Sequence, residues 1–485
     1  MDREAISSGH KLYTSELVNK VLPEITVSDE LESNRKSFSK ERTPRTGKPL
    51  DHHTLKVVYV GMGPNALWNA LQTKAKCSDT YIEMFEKRTE YARNHTVNID
   101  DQCFRSLNCY DNQVLKEGMN QLRNKIQSQH GHISCQEFET DLKLIAQKMG
   151  ITMHTGSHYE VIAIGDGKIK YQSGEALFDA LVCADGAHSK SRKALLKMAD
   201  HPNDQGEEIA FSQLSSIDED SEFQTKKDLQ YRVRVKYQVQ GPTRKLVSGW
   251  LIFFRYAYAT FKVMLSPVEE RIRKLNEQTN EVTIDFFISK KEYDSLSGYN
   301  LGHAATLSDS KVSEALKEKI KNWQVIKQQF CQETIIADTE ELTPYTLSIF
   351  HARKVHHVTP SGQLICIVGD AATSLPYNRS LNNFLVVGAK LGRKLGSATR
   401  ADLAITGKAY AQYAGQRARW EGFKAILKNF IINATRLYLE VSNKVCWQTN
   451  AWDPKMLKEL RKKLPERETH WNHPTTVFKL DGNTG

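Results

Sequence analysis

The apolar run LKVVYV, Leu55 to Val60, is followed by GMGPNA and then by ALWNALQTK with apolar residues at helical spacing, a pattern that predicts strand, turn and helix. TYIEMFEKR reads as a second strand, and the helix-like QEFETDLKLIAQKMG leads into another apolar stretch, ITMHT, completing a βαβ pattern. EVIAIGDGKIKYQSG sets a GDG turn between alternating segments, a hairpin inserted before the buried run FDALVCADG. From residue 205 to 355 the period becomes two. YRVRVKYQVQ puts Val233, Val235, Tyr237 and Val239 on one face, expected buried, and Arg232, Arg234, Lys236 and Gln238 on the other, expected wet. SGWLIFFRYAYATFKVML and EVTIDFFIS supply further strands and KVSEALKEKIKNW a helix. QLICIVGDAA returns to a buried strand, and FLVVGAKLGRKLGSA, KAYAQYAGQRARWEGFKAILKNFIINATRLYLEVSN and PKMLKELRKKL close the chain as helices.

These elements imply an α/β protein whose first domain is discontinuous, built from residues 54–204 and 356–400. An inserted domain with a mixed or antiparallel sheet occupies 205–355, and a helical region 401–485. Residues 1–53, polar apart from a short helical pattern at Leu12 to Leu22, read as a mobile N-terminal arm. A chain of 485 residues with 40% apolar and 26% charged residues can bury a large core, and no apolar run is long enough to span a bilayer. The start, MDREAISSGHKLY, lacks the basic end and apolar stretch of a signal peptide, so a cytoplasmic protein is expected. Eight cysteines without a CxxC pair suggest neither zinc nor a disulfide framework, and Cys183 and Cys366 fall inside apolar strands as small hydrophobes. The net charge of +10 is interspersed with acids and accompanied by no nucleic-acid-binding motif. It favours a phosphorylated cofactor or an acidic protein partner.

The chemistry sits in the turns. Gly61, Gly63 and Ala66 form GxGxxA between strand and helix, with Pro64 and Asn65 inside it. The first Gly permits the tight turn, the second lets the backbone approach a pyrophosphate, and Ala66 allows close helix packing, as in Rossmann-like dinucleotide sites. Glu86 ends the second strand, where a carboxylate accepts hydrogen bonds from ribose hydroxyls. Downstream, DALVCADGAHSKSRKAL carries Asp185, Gly186, Ser189 and Arg192 at DGxxSxxR spacing, and LICIVGDAATSLP carries Gly369 and Asp370 after a buried strand.

These segments resemble the DG and GD motifs of the FAD-dependent, aromatic-hydroxylase-type (group A) flavoprotein monooxygenases. EKRTEYARNHTVNID, with Lys87, Arg88, Arg93 and Asn94, is most similar to the MICAL monooxygenase domain, and Gln136 stands where that family places an Arg near the flavin. The likeness covers roughly residues 55–200 and 345–395. It implies a glutathione-reductase/PHBH-like FAD domain in which Asp370 holds the ribityl chain and Pro376 and Asn382 flank the ring. It further implies NADPH or NADH as a transient reductant, oxygen activation on FAD, and hydroxylation of an aromatic small molecule or a protein side chain. The chain departs from the family where a Gly-x-Gly-x-Asn stretch is expected, reading Tyr377, Asn378, Arg379, Ser380, Leu381, Asn382. That departure keeps two alternatives open: an FAD oxidase or reductase without oxygen transfer, and a degenerate FAD-binding interaction protein. No catalytic residue is assigned. Tyr237, Trp250, Phe253, Tyr256, Phe286 and Tyr293 read as sheet core, and His95 and His188 stand near the motifs, where a histidine is as often a hydrogen-bonded structural residue as an acid or base.

Overall fold

Val57 to Val60 are all buried, as expected of a strand covered on both faces, and they form β1 (Lys56–Val60). A computed structural model describes residues 55–90, 96–129, 131–200, 208–214, 218–243, 267–300, 302–376 and 379–448. Residues 1–54, where the pattern predicts an arm, Arg93, Asn94 and His95, the expected strand around Trp250, Phe253 and Tyr256, Tyr377 and Asn378, and the expected final basic helix lie outside them. Helix α1 (Pro64–Lys76) opens on Pro64, whose missing N–H and fixed φ suit a first helical position, and β2 (Tyr81–Glu86) runs parallel to β1. Next, β3 (Thr96–Asn98), α2 (Asp101–Ser106), α3 (Gln113–Ser128) and β4 (His132–Ser134) form a small excursion closed by β3–β4 pairing. A capping box between Ser134 and Glu137 starts α4 (Cys135–Lys148), which leads into β5 (Thr152–Thr155).

The GDG segment turns at Gly167 (φ 73°) to make a hairpin of β6 (Val161–Ile164) and β7 (Lys168–Tyr171), extended by β8 (Gly174–Leu177). Then follow β9 (Ala180–Cys183), α5 (Lys190–Asp200) and β10 (Ile209–Ala210). The long β11 (Phe223–Gln240) pairs with β13 (Thr279–Ile288), which pairs with β12 (Pro267–Lys274). Helices α6 (Lys290–Ser295) and α7 (Glu314–Cys331) precede β14 (Thr334–Ile335) and β15 (Glu341–Ala352). The chain returns through β16 (His356–Val358), β17 (Leu364–Ile367) and β18 (Thr373–Ser374), and the described residues close with α8 (Arg379–Leu395) and the 46-residue α9 (Leu403–Gln448).

One sheet has the order β16-β17-β9-β1-β2-β5, parallel throughout except for β16 against β17, so segments far apart in sequence share it. The other large sheet is antiparallel, β12-β13-β11-β15-β18, with β14 against β11, while β10-β6-β7-β8 and β3-β4 form two smaller ones. Strand β18, two residues beyond the GD turn, pairs with β15 and so couples the two sheets. Val233, Val235, Tyr237 and Val239 are fully buried against Ile320 and Trp323 of α7, and the Trp323 indole N–H donates to the Tyr237 hydroxyl (3.0 Å).

The opposite face of β11 departs from the alternation rule. Arg232 is only 4% exposed, lying over the Phe287 ring and donating to Gln230. Asp285, 1% exposed, receives a two-pronged hydrogen bond from Arg234 (2.8 and 3.1 Å) and another from the Tyr345 hydroxyl (2.7 Å). Helix α9 reaches this face: Gln230 donates to Asn429 (2.6 Å), and Arg436 lies over Phe287. Period-two patterning predicts which residues share a face. It does not predict that a distant helix covers the charged one.

Helices α1 and α8 approach with almost no side chain between them. A Cβ added to Gly388 would lie 2.7 Å from the Asn65 side chain, one on Gly392 2.5 Å from the Asn69 carbonyl, and one on Gly396 2.6 Å from the Thr73 carbonyl. Both sets recur every four residues, matching one ridge of each helix. The polar residues on α1 are satisfied within this seam. Asn69 donates to the Gly388 carbonyl (2.7 Å) and accepts from the Tyr59 hydroxyl (2.6 Å). We expect Gly392→Ala to lower stability by roughly 1–3 kcal/mol through overpacking against backbone. Gly415→Ala, whose new Cβ would sit 3.8 Å from His351, should be neutral or stabilising by up to about 1 kcal/mol. Chemical denaturation of the two variants checks the contrast.

Candidate functional site

The three motifs meet at the carboxyl-terminal edge of the parallel sheet, where β1, β9 and β17 end side by side. Gly61 has φ 89° and donates its N–H to the Phe85 carbonyl (2.8 Å). A Cβ there would meet the Ala184 carbonyl oxygen at 2.6 Å, so both conformation and space demand glycine. Gly63 is different. Nothing lies within 4 Å of the Cβ it lacks, and it precedes α1 as an N-cap that offers no side chain. The opening turn of α1 therefore meets an open space with its amide groups, the arrangement that binds phosphate. Ala66 is fully buried beneath it. Glu86 lies beside this turn, accepting from the Met62 N–H (3.1 Å) and the Arg88 N–H (3.0 Å).

Asn65 links the first turn to the third motif. With its amide oriented to satisfy both partners, it accepts from the Gly369 N–H (2.8 Å) and donates to the Phe384 carbonyl of α8 (2.9 Å). Gly369 takes φ 67°, and a Cβ there would lie 2.7 Å from the same amide. Asp370 accepts from the Ser380 hydroxyl (3.0 Å), so a residue of the glycine-poor segment orients the carboxylate. Pro376 is buried beside this turn. Asn382 accepts from the Asp100 N–H (3.1 Å) and donates to the Asn98 carbonyl (3.0 Å), fastening α8 to the β3–α2 segment. The Cys103 thiol also donates to Asn382 (3.2 Å), and burial, reinforced by Asp100, pushes its pKa up to about 12. Cys103 stays a thiol at neutral pH.

The second motif works largely as a brace. Asp185 accepts from the Ser189 hydroxyl (2.5 Å) and the Ser191 N–H (3.0 Å), capping the start of α5. Gly186 supplies the positive φ of the turn (89°). Arg192 is 5% exposed and reaches three places at once. It donates to Glu222 (2.7 Å), to the Ala371 carbonyl of the GD turn (2.9 Å) and to the Ala187 carbonyl (3.0 Å), and it lies over the Phe223 ring. The DGxxSxxR spacing thus ties the second motif to the third and to the start of β11.

Lys87 pairs with Glu160 (3.4 Å), Arg88 is exposed, and Gln136 is exposed in the first turn of α4. Cys183 and Cys366 are buried, which raises their pKa and leaves them inert. Sequence reasoning missed the bridging role of Asn65 and the glycine row of α8. The signal for the latter was present in the four-residue spacing of Gly388, Gly392 and Gly396.

No protein-family model and no curated protein matches the chain. Among solved structures it is similar to the tetracycline destructase Tet(51), at 13% identity and a TM-score of 0.47 over 88% of this chain and 100% of that one. It is also similar to CtdE in complex with FAD and a substrate, at 11% identity and 0.45 over 77% and 88%. A third is a variant of 2-methyl-3-hydroxypyridine-5-carboxylic acid oxygenase, at 12% identity and 0.44 over 79% and 92%. At these identities and scores, the functional reading rests on this chain's own residues.

Removing the brace exposes its contribution. Arg192→Met leaves Glu222, itself 2% exposed, without its closest cation and should cost about 3–5 kcal/mol in denaturant melts. Arg192→Lys should recover only part of that, because an ammonium cannot serve three acceptors in the plane of a guanidinium.

Proposed function

We propose that this chain binds FAD along the carboxyl edge of the parallel sheet and acts as an NAD(P)H-dependent monooxygenase on an aromatic small molecule or a protein side chain. The observation that carries the reading is the convergence itself. The GxGxxA turn, the DG turn and the GD turn are interlocked through Gly61 on Ala184, Asn65 on Gly369 and Arg192 on Ala371.

The residues present fit the cofactor. The amides opening α1 and the space beside Gly63 suit the diphosphate, and Glu86 suits the ribose hydroxyls. Asp370, oriented by Ser380, suits the hydroxyls of the ribityl chain. When bound, FAD supplies the electron transfer and oxygen chemistry, and the protein's share is binding, orientation and exclusion of water. At one of the two positions where the resemblance implies glycine, Ser380 carries a hydroxyl that donates to Asp370.

The purified protein should show a flavin spectrum that bleaches on anaerobic addition of NADPH or NADH. Turnover under labelled oxygen should place one labelled atom in the product; water or peroxide as the sole labelled product would instead mean an oxidase. Gly63→Val should lower the stability of the apoprotein by no more than about 1 kcal/mol, the difference between glycine and an apolar residue at an N-cap. It should weaken FAD binding by roughly one to two orders of magnitude, the factor that about 1.4–2.8 kcal/mol of lost phosphate contact produces. Undiminished flavin content in that variant would count against the phosphate cradle.

A further inference from the structure

Helix α9 changes character halfway along. Its inner face is continuous, with Leu403, Tyr410, Ala414, Ala418 and Ala425 buried and Tyr410 donating to the Ile367 carbonyl (2.6 Å). Its outer face is largely polar at first, with Lys408, Gln412 and Gln416 beside the single exposed Ile405 (71%). From Trp420 onward the outer face becomes apolar. Trp420 (55% exposed), Phe423 (52%), Leu427, Phe430 (68%), Leu437 and Val441 follow one another at alternating three- and four-residue steps, apart from Ala434 between the last pairs. One or two exposed apolar side chains need no explanation. A contiguous stripe of this length, rich in aromatic residues, marks a surface that is covered in use.

We propose that the distal half of α9 is a membrane-docking element that lies in the interface of an anionic bilayer. Charge and width select this occupant. Between Arg417 and Val441 there are five basic residues against Glu421 and Glu440; Arg417 donates inward to Asn383 and Arg436 lies over Phe287, which leaves Arg419, Lys424 and Lys428 to flank the stripe. Glu421 is buried and bonded to Lys424 (3.0 Å), so it adds little negative charge to the rim. The sequence beyond the helix continues the trend, with Lys455, Lys458, Arg461, Lys462 and Lys463 against Glu459 in residues 455–463. A second copy of the same helix would bring a basic rim against a basic rim. A two-helix seam is also narrow, with polar flanks, whereas Ile426, Ile431 and Tyr438 widen this stripe on both sides. A broad apolar face bearing Trp, Phe and Tyr beside Lys and Arg is the composition of a helix that lies in a lipid interface. No helix among the described residues is long and apolar enough to cross a membrane, so the element lies on the surface.

Full-length protein should co-float with vesicles of phosphatidylcholine and phosphatidylserine, float poorly with phosphatidylcholine alone, and lose the anionic preference at high salt. The double variant Phe423→Glu and Phe430→Glu should bind the mixed vesicles roughly a hundredfold more weakly, since each large apolar side chain withdrawn from lipid removes on the order of a tenfold factor. Both side chains are exposed, so its circular dichroism melt should match that of the wild type. Vesicles should shift the tryptophan emission to the blue, and Trp420→Phe should diminish that shift. Wild-type protein that stays at the bottom of the gradient would overturn the proposal. So would a double variant that floats like the wild type, or one whose only change is conversion from dimer to monomer in sedimentation. Flavin content is independent of all these readouts, so failure here and failure of the FAD reading are separable.

Discussion

The close approach of backbone to backbone along α1 is the constraint on which the rest of this structure depends. At its start, Gly61 abuts the Ala184 carbonyl, and along its length Gly388, Gly392 and Gly396 press against Asn65, Asn69 and Thr73. No Cβ fits at Gly61 or Gly392 without moving main chain, which a packed interior resists. These contacts fix three chain segments in one register: the first turn, the end of β9, and the helix that follows the GD turn. Polar groups on α1 are tolerated inside this seam because Tyr59, Gly388 and Asn108 satisfy them.

Arg192 extends that register to the second sheet. Its guanidinium joins Ala187, Ala371 and Glu222, so the DG turn, the GD turn and the entry to β11 are tied together. The β15–β18 pairing does the same from the other side, since β18 is the direct continuation of the GD turn. A site assembled from such distant segments needs braces of this kind, because a shift of one turn relative to another would separate the groups that must act together.

Buried charges hold both faces of the antiparallel sheet, Asp285 on the face of Arg234 and Lys327 of α7 on the face of Val235. Asp285 is buried under Arg234 and Tyr345, and Lys327, fully buried, bonds Glu270 (2.9 Å) and Thr243 (3.2 Å). Burial raises the Tyr345 phenol well above its ordinary range, with Asp285 adding to the effect, so Tyr345 serves as a hydrogen-bond donor to that carboxylate. Such groups are costly to strip of a partner, which makes this sheet dependent on its exact pairings.

Local pattern determined a good deal: the strand, turn and helix from Leu55 to Lys76, the hairpin at Gly167, the alternation that buries Val233 to Val239, and the long closing helices. Each rests on the period of apolar residues or on a backbone angle that glycine alone adopts freely, both encoded over a few neighbouring positions. Sequence motifs also named the turns at Gly61, Asp185 and Gly369. What only the tertiary structure decided is how those turns engage. Asp185 caps α5, Ser380 orients Asp370, Asn65 joins two motifs more than three hundred residues apart in the chain, and Arg232 is buried despite facing the polar side of its strand. Each of these is set by contact between segments remote in sequence, whose relative position no local period records.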